Sequence, residues 1–221
     1  MCVFFIMSNI IQNFIKIRDE LNQARLKSTI IAVSKTFSLD HIRPLIEFGH
    51  RVFGENKVQE AKLKWSDLKN KINNLELHLI GSLQSNKAKD AVLLFDYIHS
   101  VDSLKLASEL VKAEKKIGIK RKYFIQVNVG KEKQKSGIEI EELKTLLDYC
   151  ILNKLEIVGL MCIPPFDVDP VPFFTLLKKL NDKSNLSMIS MGMSSDYMQA
   201  AQLGSTHIRV GSKIFGLRIN Q

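Results

Sequence analysis

Cysteine, proline and tryptophan are scarce in these 221 residues, at three, five and one. Each scarcity excludes something. Cys2, Cys150 and Cys162 are odd in number and widely spaced, which fits neither a disulfide framework nor a zinc site, and no metal site is expected. A reducing, cytoplasmic setting is the simplest expectation. No stretch rich in proline, glycine or serine divides the chain, and no repeat of solenoid length is visible, so a single domain over 1–221 is expected. No apolar run approaches the ~20 residues of a membrane span. The opening "MCVFFIMSN" is apolar but short and has no basic stretch before it, unlike a signal peptide. Residues 1–7 read as an upstream extension, with Met7 as an alternative initiator. An amphipathic helix capped at Ser8 is expected in "SNIIQNFIKIRDEL".

Charge of one sign is in excess: 32 Lys and Arg against 23 Asp and Glu give a formal net charge of +9. A basic balance can mean nucleic acid or a membrane surface. Here the lysines are spread out. The densest group, "KAEKKIGIKRK" (Lys112 to Lys122), mixes acidic and apolar residues and reads as a solvated helix end with the turn after it. Aromatics interleaved for base stacking are missing. Neither specific nucleic-acid binding nor membrane association is expected.

What the chain does have is alternation. Eight short apolar runs alternate with longer amphipathic segments: "TIIAVS", "RVFGE", "LHLIG", "DYIHS", "YFIQVNV", "LEIVGLMCI", "LSMISMG" and "HIRVG". Continuous rather than alternating hydrophobicity suits strands buried on both faces of a parallel sheet. The segments between them have helical spacing. In "SLDHIRPLIEFGH", Ser38 can cap the start, Ile42, Leu45 and Ile46 share a face, and Gly49 can end it. Eight βα units behind one helix predict a TIM (β/α)8 barrel. An open doubly wound sheet would want a glycine-rich turn after its first strand, and "VSKTFS" has none.

In such a barrel the chemistry sits where the strands end. The first run ends in Lys35, a residue type seldom buried. Either it snorkels to solvent or it is a Schiff-base lysine, whose amine must reach its neutral form. "MGMSSD" and "RVGS" follow the seventh and eighth runs, with Ser194, Ser195, Gly211 and Ser212. Ser194 or Ser195 can be a plain N-cap. Two glycine and serine turns at these two places also match the usual phosphate site of the fold. A Schiff-base lysine on one side and a phosphate nest on the other is the geometry that pyridoxal 5′-phosphate (PLP) needs. Arg209 could then lie beneath the ring nitrogen. Arginine cannot act as an acid there, so the cofactor would be a weak electron sink.

The segments "AVSKT", "FGENKVQE", "HLIGSLQSNKAK", "SVDS", "VNVGKEKQKSG", "GLMCIPP" and "SMGMSSDYMQAAQLGSTHIRVGSKIFG" carry a family resemblance from Ile30 to Gly216. In them the chain resembles the pyridoxal phosphate homeostasis proteins (the YggS/PROSC group), relatives of the alanine racemase barrel. The resemblance implies a monomeric barrel of the alanine racemase N-terminal type, a fold-type III PLP protein. It implies that PLP is held as a Schiff base on Lys35. Ser194, Gly211 and Ser212 would hold the phosphate, and Arg209 would face the ring nitrogen. Asn56 and Met193 would line the pocket, with His78 and Gly81 as the adjacent wall. Lys135 would stand near the entrance, for cofactor transfer or as a solvated loop lysine. Lys213 departs from the family, which more often has a small residue there.

The implied function is PLP homeostasis, with delivery to PLP-dependent apo-enzymes and little or no turnover. An amino-acid racemase is the competing reading. It needs a second base opposite Lys35, and Tyr123 and Tyr197, the nearest candidates, look structural. A cofactor-free Schiff-base aldolase is the third.

Overall fold

The structure, a computed structural model, describes residues 2–132 and 134–216, with side chains from residue 9 onward. Eight strands follow one another around a closed parallel barrel: β1 (Thr29–Val33), β2 (Val52–Glu55), β3 (Glu76–Leu79), β4 (Tyr97–Val101), β5 (Lys122–Gln126), β6 (Glu156–Met161), β7 (Met188–Met193) and β8 (His207–Val210). Each pairs in parallel with the next, and β1 pairs with β8 to close the ring. All eight apolar runs became strands. The helices between them are α2 (Leu39–Glu47), α3 (Val58–Lys69), α4 (Ala88–Leu94), α5 (Leu104–Ile117), α6 (Leu143–Leu152), α7 (Val171–Lys183) and α8 (Tyr197–Gln202). A short α9 (Ser212–Phe215) follows the last strand, and α1 (Cys2–Gln23) precedes the first.

Local chemistry sets the boundaries. Ser38 caps α2 by accepting from the His41 N–H at 3.4 Å, and Ser103 caps α5 by accepting from the Leu106 N–H at 3.2 Å. Gly118, at φ +76°, ends α5 in the left-handed conformation glycine adopts without steric cost. Ser8 is not a cap. The helix runs unbroken from Cys2, so the apolar residues before Ser8 continue the same helical backbone. Ile10, Phe14, Ile17 and Leu21 then form one buried stripe on α1. Each such side chain contributes about 1.5–3 kcal/mol.

The main core lies between barrel and helices, and a small second cluster (Tyr97, Phe124, Val158 and Met161) fills part of the barrel interior. That interior is unusually polar: His78, His99, Ser190, His207 and Arg209 are all buried. Cys150 and Cys162 are buried too, and burial pushes both thiols up to about 12, so they serve packing. Cys2 lies outside the described side chains. Among the described residues no group of His, Cys, Asp and Glu could hold a metal, and no helix is long and apolar enough to cross a membrane.

Candidate functional site

The C-terminal ends of the strands surround a cavity of about 700 Å³. Its lining comes from strand ends far apart in sequence. Lys35 stands just past β1 and Asn56 just past β2. Met193 closes β7, Ser194 and Ser195 follow it, Arg209 projects from β8, and Gly211 and Ser212 follow that strand. Eight residues read from the sequence therefore meet here: Lys35, Asn56, Met193, Ser194, Ser195, Arg209, Gly211 and Ser212. Val33, Phe37, Ile80, Ile163 and Gly216 complete the wall. Val33, Ile80 and Ile163 escaped the sequence reading because an apolar residue at a strand end looks the same whether it faces a ligand or the core.

The two serine turns are folded against each other. The Ser194 hydroxyl accepts from the Gly211 N–H at 3.3 Å and lies 3.5 Å from the Lys213 N–H. Ser194 is thus not a helix cap. Asp196 takes the position before α8 and accepts from the Met193 N–H at 2.6 Å, turning the chain back on itself. Gly192, at φ +90°, makes that path possible: a Cβ there would meet the Ala200 Cβ at 2.5 Å. The register between β7 and β8 shifts between Ser190 and Met193, which re-aims Met193 and the turn after it. Lys213 exposes its side chain and lays its ammonium 4.7 Å from the centre of the Tyr197 ring, outside the cavity lining.

Arg209 forms the floor. It is buried, and it donates to the Ser190 hydroxyl at 2.6 Å and to the Cys162 carbonyl at 2.8 Å. Burial lowers its pKa from the ordinary arginine value. Behind Lys35, the fully buried Glu55 carboxylate accepts from the Ser34 hydroxyl at 2.7 Å and from the Trp65 indole at 2.9 Å. Lys64 bridges the same oxygen and the Ser34 carbonyl, at 2.8 and 2.7 Å. This knot fastens the end of β1 to the end of β2, fixing the backbone from which Lys35 and Asn56 emerge.

Three expected residues lie elsewhere. His78 does not line the cavity. It is fully buried in the barrel interior: residues two apart share a strand face, so His78 points inward one layer below Ile80, which takes the mouth-facing place. Gly81 lies behind the wall. A Cβ there would be 2.3 Å from the Asn56 carbonyl oxygen, so its role is to let the backbone of the loop after β2 come close. Lys135 is half-buried in the loop after β5, paired with Glu132 at 2.6 Å and donating to the Pro164 carbonyl at 3.2 Å.

A lysine, a buried arginine and two interlocked serine turns at the C-terminal mouth define a barrel of one class. The chain matches the family described as alanine racemase, N-terminal domain, over residues 7–219. An alanine racemase from Clostridium difficile shares this fold at 14% identity, with a TM-score of 0.73 over 97% of this chain and 58% of that one. Within the class the relationship is closer to one group. The chain is 36% identical to the pyridoxal phosphate homeostasis protein of Aquifex aeolicus, covering 96% of both chains. PipY of Synechococcus elongatus, solved without PLP, is 36% identical, with a TM-score of 0.85 over 94% of this chain and 100% of PipY. The same protein has also been solved with PLP bound. The chain belongs to the pyridoxal phosphate homeostasis protein family.

Proposed function

We propose that this chain holds pyridoxal 5′-phosphate at the C-terminal mouth of the barrel and serves the homeostasis of that cofactor, passing it to apo-enzymes with little turnover of its own. The observation that carries this reading is the convergence of Lys35, Arg209 and the two serine turns on one cavity of about 700 Å³. The donor set fits the group. Ser194 and Ser212 with the backbone N–H groups after β8 suit a phosphate. The Lys35 amine suits the aldehyde, as a Schiff base. Arg209 suits the ring nitrogen, and Met193 and Asn56 the faces and edges of the ring. The names of the relatives and the PLP-bound PipY support the same reading.

When bound, the cofactor supplies an electron sink; the protein decides how far that is used. A guanidinium is a poor proton donor, so Arg209 leaves the ring nitrogen unprotonated. Among the described residues that line the cavity there is no carboxylate, imidazole, phenol or thiol to act as a second acid or base. Tyr123 donates to Glu114 at 3.0 Å and Tyr197 donates to Glu20, so both phenols are engaged away from the mouth. Reversible capture without onward chemistry is what this arrangement favours. His78, Gly81 and Lys135 act outside the first contacts: His78 beneath the floor, Gly81 behind Asn56, and Lys135 in the loop where cofactor transfer would begin.

The test is a visible absorption spectrum with PLP, before and after borohydride, beside Lys35→Ala. The expected result is a band that borohydride removes, with a label fixed on the Lys35 peptide and neither signal in the variant. No band in the wild type with PLP in excess would overturn the proposal. Stereochemical turnover of an amino acid, abolished in Lys35→Ala, would replace it with the racemase reading.

A further inference from the structure

Arg209 is a buried cation whose two bonded partners, a serine hydroxyl and a backbone carbonyl, are both neutral. Leaving a buried charge without compensation is expensive. The carboxylate that acts on it electrostatically, Asp196 in the turn after β7, makes no hydrogen bond to it; the hydrogen-bonded path from the guanidinium runs along the barrel axis. Ser190 Oγ, which accepts from Arg209, lies 2.9 Å from His99 Nδ1. His99 Nε2 lies 2.8 Å from His78 Nδ1. His78 Nε2 lies 2.8 Å from Glu76 Oε1. Glu76 opens β3 at the N-terminal face, where it lines a second cavity of about 420 Å³ with Asp96, Lys120, Arg121 and Lys122. Packing fixes the rings: His78 stacks on Tyr97 at 4.5 Å between centroids and His99 on Phe124 at 4.2 Å.

The two ends dictate the direction. A guanidinium only donates and a carboxylate only accepts. Glu76 therefore takes a proton-bearing Nε2 from His78, which leaves His78 Nδ1 to accept. His99 must then donate from Nε2 and accept at Nδ1, so the Ser190 hydroxyl donates to His99 and keeps its lone pairs for Arg209. Every bond then points from Arg209 toward Glu76, with both rings neutral. Burial lowers the pKa of both histidines, well below the ordinary value for His99, which agrees with neutral rings. The opposite direction would aim a bare His78 Nε2 lone pair at the Glu76 carboxylate.

We propose that Glu76, His78, His99 and Ser190 are positioning residues for Arg209, a one-way chain of hydrogen bonds that carries the orientation imposed by the Glu76 carboxylate through the barrel to the guanidinium at the cavity floor. Such chains strengthen each bond by polarisation, so the Ser190 oxygen becomes a better acceptor than an isolated hydroxyl. Arg209 is thereby fixed with its remaining donors toward the cavity. A residue at one face of the barrel thus tunes the site at the other. The consequence for the ligand rests on PLP lying over Arg209; the chain itself does not.

The test uses ¹⁵N-histidine NMR on the ligand-free protein, with His78→Gln and His99→Phe for assignment. The wild type is expected to show both rings neutral with the proton on Nε2. In Glu76→Gln the side-chain amide can donate or accept, so the direction is no longer imposed and the His78 and His99 signals move toward mixed tautomers. Glu76→Asp keeps an acceptor-only end and restores the wild-type pattern. Titration with PLP is expected to give a dissociation constant raised about 5- to 30-fold in Glu76→Gln and His99→Phe, as for loss of a charge-assisted bond of ~1–2 kcal/mol. The band position should shift as well. Glu76 is partly exposed at the opposite face, so its substitution does not touch the ligand and leaves the fold intact. A wild-type Nδ1–H tautomer at either ring, or a Glu76→Gln variant with unchanged histidine signals, would overturn the chain. If the wild type shows the expected tautomers and Glu76→Gln shifts them but PLP never binds, the chain stands and the cofactor reading falls.

Discussion

The Glu55–Lys64 pair is the sharpest place to test how the site is held. Glu55 is fully buried and only 11% of the Lys64 side chain is exposed. One carboxylate oxygen takes three donors, from Ser34, Lys64 and Trp65, while the other is buried with no hydrogen-bond partner. Removing one member of a buried ion pair strands the other, at a cost of about 3–5 kcal/mol. Glu55→Gln keeps an amide oxygen for Ser34 and Trp65, which places it at the low end, about 3 kcal/mol. Lys64→Met leaves Glu55 with its two neutral donors and should cost a similar amount. For a chain of this size that is a fall of roughly 6–12 °C in Tm. The double variant strands no charge, so it should recover at least about 2 kcal/mol relative to the sum of the singles. Urea unfolding of the wild type, both singles and the double measures the cycle. If the double is additive within about 0.5 kcal/mol, or either single costs less than about 1 kcal/mol, the pair does not hold the ends of β1 and β2 as argued.

Burial pulls His50 down to about 4 and His207 to about 3, so both stay neutral in the folded protein while the unfolded chain protonates near the ordinary 6.5. The unfolded state then binds more protons below pH 6.5, and stability should fall with pH by about 1.4 kcal/mol per unit for each histidine until the folded values are reached. Urea midpoints at pH 7, 6 and 5 check this, and a flat profile would refute it. Gly81→Ala drives a Cβ to within 2.3 Å of the Asn56 carbonyl oxygen, a backbone atom that cannot rotate away. A loss of about 2–3 kcal/mol with weaker PLP binding is expected from unfolding and titration, and unchanged affinity would separate Asn56 from the site. Lys213→Ala removes an ammonium that lies on Tyr197 outside the cavity, so PLP affinity should stay within about 3-fold, whereas a larger loss would place that charge at the phosphate.

Much of the molecule follows from local pattern. Eight continuous apolar runs bury on both faces only in a parallel sheet, and amphipathic segments of helical length between them leave a barrel as the economical closure. Lys35 and the turns at Ser194 and Gly211 were legible because strand ends in this fold face ligands. Tertiary structure alone decided which layer of the barrel an inward-facing polar residue occupies. His78 and Ile80 sit two places apart and one layer apart, and only barrel closure with its stagger sends the histidine inward beneath Arg209 while the isoleucine meets the mouth. Ser194 has an ordinary capping sequence around it, yet the β7–β8 register shift hands its hydroxyl to the next turn. Lys213 stands beside the serine turn after β8 in sequence, but α9 carries its side chain outward onto Tyr197. The run of Arg209, Ser190, His99, His78 and Glu76 joins four separate strands, and no local signal announces it. Sequence encodes short-range preference directly; inter-strand register and the polarity of a buried hydrogen-bond chain arise only when distant segments close against one another.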